Sequence, residues 1–356
     1  MRIGILTGGG DCPGLNAVIR AVVRKGILHY EDEFVGFLEG WRGVLENKAI
    51  DLDIATVAGI LPRGGTILRT SRTNPAKREG GIAKCMETLR ERGVDALIAV
   101  GGDDTNGFAL KLFEHGFKVI GVPKTIDNDI GGTDFCFGFD TAVNIATEAI
   151  DRVHTTAEAH QRVMVIEVMG RDAGWIAMYS GIAGGADVIL IPERPFDIDE
   201  VADRVRVRHQ RGLDFTIVVV AEGAKFASDD KHGAPIVSDM GKDEFGHVRL
   251  GGVAQILARE IERRTKLETR HVVLGHVQRG GTPSAFDRVL ASRYGIGAID
   301  LVHHGGFGRM VSLRGNEITS VPLSEALNKN RTVDQALIDV AFGLSEPIGA
   351  HPSAVG

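Results

Sequence analysis

The chain begins with the stretch Ile3-Gly4-Ile5-Leu6-Thr7-Gly8-Gly9-Gly10-Asp11-Cys12-Pro13-Gly14-Leu15-Asn16. Residues 3–6 form a short apolar run that is typical of a buried strand, and the consecutive glycines mark a tight turn. Apolar residues then recur with the spacing of one helix face, at Leu15, Val18, Ile19, Val22 and Val23. The stretch therefore predicts a strand that leads through a glycine-rich turn into a helix.

The same alternation continues along the chain. Nearly continuous apolar runs predict further buried strands at 96–100, 119–122, 163–168, 188–191, 216–220 and 272–274. Helical periodicity lies between them, at 140–158, 198–210, 252–264 and 286–302. The pattern predicts an α/β fold with mostly parallel sheets, and the polar segment 225–246 is expected to be a surface excursion.

Composition limits the class of protein. The 356 residues are 43% hydrophobic and 25% charged, which predicts a globular protein of two domains. With 41 basic and 47 acidic residues the net charge is -6, so we expect no nucleic-acid or membrane partner. The sequence has no apolar run of about 18 residues, and we expect neither a membrane span nor an export signal. The three scattered cysteines suit a reducing compartment, and we expect the cytoplasm.

The first glycine-rich turn has two interpretations. Glycines before a helix let backbone N–H groups approach an anion, which indicates phosphate binding. Such glycines are also needed in any tight strand-to-helix turn, and the turn alone does not decide between the two. It is not the dinucleotide fingerprint, because Pro13 stands where a third glycine is required, and the chain has no P-loop motif.

Polar residues follow two further strands, and in parallel sheets ligands bind beyond the carboxyl ends of the strands. The first group is Gly101-Gly102-Asp103-Asp104-Thr105, whose carboxylates suit a hard metal held partly by a phosphate. One of these aspartates could instead be the N-cap of a helix that begins near Asn106. The second group is Pro123-Lys124-Thr125-Ile126-Asp127-Asn128-Asp129, which offers a cation for a phosphate and carboxylates for a substrate hydroxyl.

The second half of the chain supplies further candidates for anion binding. They flank apolar strands, as arginine clamps on phosphates often do, although each alone could be a surface ion pair. These candidates are Arg162, the segment 169–175, Glu222, Arg270 and the segment 276–281. Arginine and valine also alternate from Arg204 to Arg208, which leaves helix and strand open and is interpreted as a solvated or subunit-facing surface.

Several other chemistries are excluded. The chain has no G-x-S-x-G elbow, no H-E-x-x-H helix and no paired C-x-x-C motif. Cys12 precedes a helix, but no nearby histidine could activate it, so we expect it to have a packing role.

Five motifs in order over residues 1 to about 325 resemble the phosphofructokinase family. They are Gly-Gly-Asp-Asp-Thr at 101–105, Pro-Lys-Thr-Ile-Asp-Asn-Asp at 123–129, Met-Gly-Arg at 169–171, Ala-Glu-Gly at 221–223 and Gly-His-Val-Gln-Arg-Gly-Gly at 275–281. The resemblance implies two three-layer α/β domains with the active site in the cleft between them. It assigns 1–138 plus about 278–328 to the phosphoryl donor and Mg²⁺, and about 139–277 plus the C-terminal segment to the sugar phosphate.

The resemblance also implies a reaction and its residues. Phosphoryl transfer to the 1-hydroxyl of fructose 6-phosphate would use Asp127 as the base, with Lys124, Thr125 and Asp129 beside it, and Asp103 would hold Mg²⁺. The implied donor-binding residues are Gly10, Arg72, Gly102, Asp104 and Thr105. Such a reaction depends mainly on positioning and charge neutralisation.

For the sugar phosphate, the resemblance implies one group within the subunit and a pair from its neighbour. The first group is Met169, Gly170, Arg171, Glu222, His276 and Arg279. Arg162 and Arg270 resemble the pair that family members supply from a neighbouring subunit. The protein would then be a homodimer or homotetramer with shared active sites.

Two positions indicate the donor. Family members that use ATP commonly have glycine where this chain has Asp104, and many have glycine where it has Lys124. A carboxylate would repel the α-phosphate of ATP, whereas a lysine neutralises pyrophosphate. Residues 65–72 also resemble those of pyrophosphate users and add a cation at Arg69. We therefore expect pyrophosphate, with ATP as the alternative.

The acceptor and the class of protein each have a competing interpretation. Asp172 replaces the usual histidine beside Arg171, so sedoheptulose 7-phosphate stays open as an acceptor. A non-catalytic phosphosugar-binding subunit would need neither Asp127 nor Asp103. A nicotinamide-dependent dehydrogenase would need the fingerprint that Pro13 breaks.

Overall fold

The computed structural model describes residues 1–227, 237–242 and 248–344, and these residues form two units. Unit 1 comprises residues 1–141, 242 and 279–331. Unit 2 comprises residues 142–227, 237–241, 248–278 and 332–344.

Strands and helices alternate along most of the described chain. The strands are β1 Arg2–Thr7, β2 Glu33–Phe37, β3 Ala49–Leu52, β4 Ala96–Gly101, β5 Val119–Pro123, β6 Val163–Val168, β7 Val188–Leu190, β8 Thr216–Ala221, β9 Val237–Lys242, β10 Val248–Leu250, β11 Thr269–Val273, β12 Arg309–Arg314 and β13 Glu317–Pro322. The helices are α1 Leu15–Tyr30, α2 Trp41–Leu45, α3 Gly81–Glu91, α4 Asp103–Glu114, α5 Phe139–His160, α6 Trp175–Ala183, α7 Ile198–Gln210, α8 Val253–Thr265, α9 Ala285–His303, α10 Leu323–Ala326 and α11 Gln335–Leu344.

Unit 1 is built on a seven-stranded sheet of order β13-β12-β5-β4-β1-β2-β3. All neighbouring pairs are parallel except those that add the edge strands β3 and β13. The chain runs from β1 to β2 on one side and from β4 to β5 on the other, so the strand order reverses between β1 and β4. This reversal opens a crevice at the carboxyl ends of β1 and β4, where parallel sheets bind ligands.

The core of unit 1 is packed on both faces of this sheet. Leu6 and Leu97 belong to a buried apolar cluster that includes Trp41 of α2, Leu89 of α3 and Phe108 of α4. Ile3 and Ile5 are fully buried outside that cluster. Because side chains alternate along a strand, these two isoleucines lie under the opposite helical layer.

Unit 2 has a four-stranded parallel sheet of order β11-β6-β8-β7. Its central strands β6 and β8 are buried along their whole length, and α7 and α8 pack on one face. The edge strand β11 is different, because Arg270, His271 and Val273 are exposed on it. This edge therefore presents a cationic side chain, Arg270.

The predicted α/β fold with mostly parallel sheets is confirmed. The alternating stretch from Arg204 to Arg208, for which the sequence left helix and strand open, is part of α7. Segment 225–246 contains β9, which pairs with β10, but much of it lies outside the described residues. No helix in the described part of the chain is long and apolar enough to cross a membrane.

Candidate active site

The glycines after β1 and β4 make room for one threonine. A Cβ on Gly8 would lie 2.5 Å from Oγ1 of Thr105, and a Cβ on Gly101 would lie 2.3 Å from the Cβ of Thr105. Gly9 is glycine for another reason, since its φ of 80° lies in the left-handed region. Thr105, which is buried in the first turn of α4, therefore packs the two strand ends together.

The segment that carries Arg72 is bonded to this glycine-rich loop. The amide of Gly9 donates to the carbonyl of Ser71 at 3.2 Å, and the hydroxyl of Thr70 donates to the carbonyl of Gly9 at 2.6 Å. These bonds hold the exposed Arg72 next to the loop. Arg69, expected to add a cation here, pairs with Glu39 at 3.7 Å.

Lys124 lies beneath the same loop. Its side chain is 3% exposed, and Nζ donates a hydrogen bond to the carbonyl of Gly10. Burial lowers the pKa of the ammonium group, because the charged form loses hydration. A buried cation that a backbone carbonyl holds in place is suited to an anion entering the loop.

Cys12 lies close to Lys124 and is fully buried. Burial raises the pKa of the Cys12 thiol to about 12, and its S–H faces the carbonyl of Phe137. The thiolate is therefore disfavoured, which agrees with a packing role.

Arg279 reaches the glycine-rich loop from a 3₁₀ turn, Gly275–Arg279. Its Nη1 donates to the carbonyl of Asp11 at 3.2 Å, and a Cβ on Gly10 would lie 2.7 Å from the same Nη1. The Nε of Arg279 is buried and makes no hydrogen bond to the described residues. The family resemblance groups Arg279 with the sugar-phosphate residues, but its guanidinium lies in unit 1 against the loop expected to bind the donor.

The two aspartates of the Gly-Gly-Asp-Asp-Thr motif form the first turn of α4. The N-cap is Gly102, so the suggestion that Asp103 or Asp104 caps a helix beginning near Asn106 is wrong. Asn106 instead donates from Nδ2 to the carbonyl of Gly101 at 2.7 Å. Both aspartates are half-buried at the positive end of the helix dipole.

Asp127 lies in the loop that follows β5. It is 4% exposed, its amide donates to Oγ1 of Thr125 at 3.0 Å, and its Oδ1 is buried without a hydrogen-bond donor among the described residues. The next residue, Asn128, has a φ of 55° and accepts from the amide of Cys136 at 2.9 Å. The loop thus fixes a buried carboxylate with one oxygen available to a ligand.

The charges of Asp103 and Asp129 both raise the pKa of the same buried cysteine, Cys136. Burial is the main cause of the raised pKa of Cys136, and the charges of Asp129 and Asp103 raise it further. The carbonyl of Asp129 also accepts from the amide of Arg331 at 2.7 Å. The strand ends of β4 and β5 therefore bring these two carboxylates into one neighbourhood.

In unit 2, hydrogen bonds connect the segments that follow β6 and β8. The amide of Arg171 donates to Oε1 of Glu222 at 3.1 Å, and the amide of Glu222 donates to the carbonyl of Val168 at 2.8 Å. Gly170 has a φ of 142°, and a Cβ there would lie 2.5 Å from the carbonyl oxygen of Ala173. Met169, Gly170, Arg171 and Glu222 thus form one polar group.

Gln278 connects His276 to this group, although the sequence predicts no separate role for it within the segment 276–281. It is fully buried, its Oε1 accepts from the amide of Met169 at 3.4 Å, and its Nε2 donates to the carbonyl of Gly275 at 3.1 Å. His276 lies exposed in the same turn. The Gly-His-Val-Gln-Arg-Gly-Gly motif contains Gln278, so its position there is the signal that could have identified it.

Arg162 and Arg270 share one carboxylate oxygen. Nη2 of Arg162 lies 2.8 Å and Nη2 of Arg270 lies 2.6 Å from Oε1 of Glu268. The hydrogen bond from Arg162 is the main cause of the lowered pKa of Glu268. Glu268 was also missed in the sequence, where its only signal is a position two residues before Arg270. The two arginines form a cationic pair at the exposed edge strand β11.

The described residues contain no group of three or more histidine, cysteine, aspartate or glutamate side chains that could hold a metal ion alone. Mg²⁺, however, is commonly bound by one or two carboxylates together with phosphate oxygens and water. Asp103, with Asp129 in its neighbourhood, fits that kind of binding.

The described residues include a glycine-rich loop with the buried cations Lys124 and Arg279, the buried carboxylate of Asp127, and the arginine pair at β11. Such groups are typical of an enzyme that acts on phosphorylated molecules. Comparison with known proteins defines the family. The family model described as phosphofructokinase matches residues 2–302, and the chain belongs to the phosphofructokinase family. The resemblance found in the five motifs is confirmed.

Similar proteins cover nearly the whole chain. A protein of Streptomyces coelicolor named pyrophosphate–fructose 6-phosphate 1-phosphotransferase is 58% identical over 96% of this chain and 100% of its own length. Another protein of that organism, named ATP-dependent 6-phosphofructokinase 3, is 52% identical over 94% of this chain and 97% of its own length. The solved pyrophosphate-dependent phosphofructokinase of Marinobacter aquaeolei superposes with a TM-score of 0.81 at 22% identity, over 100% of this chain and 95% of that one, which supports the fold.

Proposed function

We propose that this protein transfers a phosphoryl group from pyrophosphate to the 1-hydroxyl of fructose 6-phosphate, reversibly and with Mg²⁺. The products are fructose 1,6-bisphosphate and inorganic phosphate. The observation that carries the proposal is the fixed, buried carboxylate of Asp127, whose Oδ1 accepts no hydrogen bond from the described residues. A buried acceptor without a donor is costly unless a ligand hydroxyl satisfies it.

In this reaction Asp127 accepts the proton of the 1-hydroxyl as that oxygen forms a bond to the terminal phosphorus of pyrophosphate. The bond from this phosphorus to the bridging oxygen breaks, and the leaving phosphate keeps the electron pair. Thr125 holds the loop of Asp127 through its hydroxyl, and the ammonium of Lys124 neutralises the leaving phosphate. Positioning of the hydroxyl and proton transfer to Asp127 supply the catalysis.

Asp103, with Asp129 near it, would hold Mg²⁺ together with phosphate oxygens of the donor. The bound ion would supply neutralisation of phosphate charge. Gly10, Arg72, Gly102, Asp104 and Thr105 are assigned to the donor. We add Arg279 to this set, because its guanidinium lies against Gly10 and Asp11.

Pyrophosphate is favoured as the donor by two charges near the loop. Asp104 adds a carboxylate to the first turn of α4, where the α-phosphate of ATP would meet like charge. Lys124 adds a buried cation, which pyrophosphate can use as it departs. The name of the S. coelicolor relative at 58% identity agrees with this choice.

The sugar phosphate is assigned to Met169, Gly170, Arg171, Glu222 and His276, and to Arg162 and Arg270 of a neighbouring subunit. The support for a shared site is the position of the last two, paired through Glu268 at the exposed edge of the unit 2 sheet. We infer a homodimer or homotetramer. The three cysteines are free and buried, which suits the cytoplasm.

ATP is the second candidate donor. The observation in its favour is that relatives at 52% and 54% identity are named ATP-dependent. With ATP the acceptor, the base and the sugar product would be the same, and only the donor residues would act differently.

The reaction can be tested by ³¹P NMR of fructose 6-phosphate, pyrophosphate and Mg²⁺ with the purified protein. We expect signals of fructose 1,6-bisphosphate and phosphate to grow in equal amounts. Asp127→Asn should lose about 10² to 10⁴ in turnover. Asp134→Asn is the matched control. In the unmodified protein the Asp134 carboxylate pairs with Arg314 at the surface, so this variant should keep its activity. A loss of less than about tenfold in Asp127→Asn would remove Asp127 from the role of base.

A further inference from the structure

Residues 63–72 form a segment of unit 1 that ends at Arg72, which we assign to the phosphoryl donor. We call these residues the donor segment. The hydroxyl of Thr7, at the start of the glycine-rich loop, lies 3.0 Å from the hydroxyl of Thr66. Gly9, in the middle of the loop, makes two hydrogen bonds to the segment. The loop therefore holds the donor segment near its start and in its middle.

Asn16 joins the same segment to the helix that follows the loop. It is the second residue of α1 and is 1% exposed. Its Nδ2 donates to the carbonyls of Arg63 at 3.0 Å and Gly64 at 3.3 Å, and its Oδ1 accepts from the amide of Ile67 at 2.8 Å. These three bonds use both ends of the side-chain amide, and all of them go to the backbone of the donor segment.

The donor segment contains neither helix nor strand, so bonds of this kind determine its conformation. Arg69 has a φ of 57°, in the left-handed region that residues other than glycine rarely adopt. Such a backbone conformation persists only where the surrounding structure holds it. Asn16 bonds the amide of Ile67, two residues earlier, and the hydroxyl of Thr7 donates to the carbonyl of Arg69 at 2.8 Å. The path of the chain towards Arg72 is therefore fixed from α1 and from the loop.

The polarity of Asn16 distinguishes it from its neighbours in α1, a helix that the structure describes in full. The other buried residues of the helix are all apolar, namely Leu15, Ala17, Val18, Ile19, Ala21, Val22, Val23 and Gly26. An apolar side chain would therefore serve the packing of α1, and a buried amide is costly unless its groups are bonded. The bonds to the donor segment explain why an asparagine fits at this position.

We propose that Asn16 is a positioning residue for the phosphoryl donor, which acts by holding residues 63–67 against α1 and so directing Arg72 towards the donor. The inference rests on the proposed function, because that proposal assigns Arg72 to the donor. Loss of the bonds of Asn16 should weaken binding of the donor. It should leave binding of the sugar phosphate, which is assigned to residues of unit 2, nearly unchanged.

The first test is steady-state kinetics of Asn16→Leu, in which a side chain of similar size makes none of the three bonds. Asn16→Ser is a smaller change and serves if the leucine variant does not fold. Each variant should raise KM for pyrophosphate at least about tenfold and change KM for fructose 6-phosphate by less than about twofold. Leu89→Ala is the control for lost stability, because Leu89 lies in the apolar core of the same unit. It should leave KM for both substrates unchanged.

A double-mutant cycle tests whether Asn16 acts through Arg72. Arg72→Gln alone should raise KM for pyrophosphate. In the presence of Arg72→Gln, Asn16→Ser should raise it further by less than about threefold, because the group that it positions is already lost.

Hydrogen exchange gives a measurement that needs no turnover. Pyrophosphate should slow exchange of the amides of residues 65–72 in the unmodified protein. In Asn16→Ser the amide of Ile67 should exchange faster, and the protection by pyrophosphate should be lost at the same concentration. Leu89→Ala should keep this protection.

The proposal is overturned if the Asn16 variants leave KM for the donor unchanged, if they raise KM for both substrates equally, or if the effects of Asn16→Ser and Arg72→Gln are additive. Failure of the proposed function is a separate result, since it shows in the unmodified protein. If that protein turns over ATP and not pyrophosphate, the proposed donor is wrong, and the kinetics and exchange measurements with ATP then decide the role of Asn16.

Discussion

The guanidinium of Arg279 lies against Gly10, so closely that a Cβ on Gly10 would be 2.7 Å from Nη1 of Arg279. Residues far apart in the sequence thus meet at the turn after the first strand. Because the obstructing atom is the end of a long side chain, Arg279 can move aside with little strain. A methyl group at Gly10 would then displace a cation from the loop without unfolding the unit.

We therefore predict that Gly10→Ala lowers kcat/KM for the phosphoryl donor at least about tenfold, which is about 1.4 kcal/mol. The free energy of unfolding should change by less than about 1 kcal/mol. Steady-state kinetics and urea unfolding measure the two effects.

Gly107→Ala is the matched control for this change. A Cβ on Gly107, within α4, would have no heavy atom within 4 Å, so alanine there should be neutral or stabilising by about 0.5 to 1 kcal/mol. If Gly10→Ala and Gly107→Ala have the same kinetics, Arg279 has no role at the donor.

The arginines that share Glu268 should act on the sugar phosphate. Arg162→Ala and Arg270→Ala are each predicted to raise KM for fructose 6-phosphate more than they lower kcat, because both bind the anion before reaction. Arg263→Ala, on α8 and paired with Glu260 at the surface, is the control and should leave KM unchanged. A fall in kcat with an unchanged KM would contradict ground-state binding.

Whether these arginines serve a neighbouring subunit can be tested by mixing. A variant without Arg162 and a variant without Asp127, each with little activity alone at a low concentration of fructose 6-phosphate, should regain part of the activity when their subunits exchange. If mass spectrometry verifies exchange and no activity returns, each site is built from one chain.

The sequence predicts β1, β4, β5, β6 and β8 because they are buried on two faces and read as apolar runs. The inner strand β2 is not predicted, because Gly36 interrupts its short apolar run. The edge strands β3 and β13 were missed, since an edge strand needs no continuous apolar run: Ile50 and Asp51 of β3 are exposed. β12 was missed for another reason, because its buried Ser312, bonded to the carbonyl of Gly132, interrupts the apolar pattern.

The candidate site is less evident than the fold. The positions of Lys124 and Asp127 after a strand could be predicted, because the carboxyl ends of parallel strands meet at one edge of a sheet. Two other contacts could not be predicted, because no local pattern determines how a long side chain is directed. They are the contact of Arg279 with Gly10 and the contacts of Glu268 with Arg162 and Arg270.

A buried carboxylate in unit 1 should make stability depend on pH. Asp287 accepts from the amide and hydroxyl of Thr141 at 2.8 and 2.5 Å, and burial raises its pKa to about 6. The folded state therefore holds this proton more tightly than the unfolded state, and its stabilising effect is lost as pH rises from about 4 to about 6.

Asp287→Asn removes this titration. Its stability relative to the unmodified protein should increase by about 2 kcal/mol between about pH 4.5 and pH 7, measured by urea unfolding. Asp51→Asn, at a carboxylate that is 84% exposed, should show no such change. If the free energies of unfolding of Asp287→Asn and of the unmodified protein change with pH in parallel, Asp287 is ionised over this whole pH range.

Donor choice is predicted to depend on Asp104 and Lys124. Asp104→Gly should raise kcat/KM for ATP at least about tenfold, or about 1.4 kcal/mol, because a like charge is removed from the path of the α-phosphate. Lys124→Gly should lower kcat/KM for pyrophosphate. Glu114→Gly, at the other end of α4, controls for glycine in that helix. An unchanged ATP rate in Asp104→Gly would limit Asp104 to a role other than donor selection.

The most direct test of the central claim is the donor specificity of the unmodified protein. Initial rates are measured with fructose 6-phosphate and Mg²⁺, and with pyrophosphate, ATP or polyphosphate in separate reactions. The proposal predicts that kcat/KM for pyrophosphate exceeds that for either other donor by at least about tenfold. Turnover with ATP that equals or exceeds turnover with pyrophosphate would contradict it.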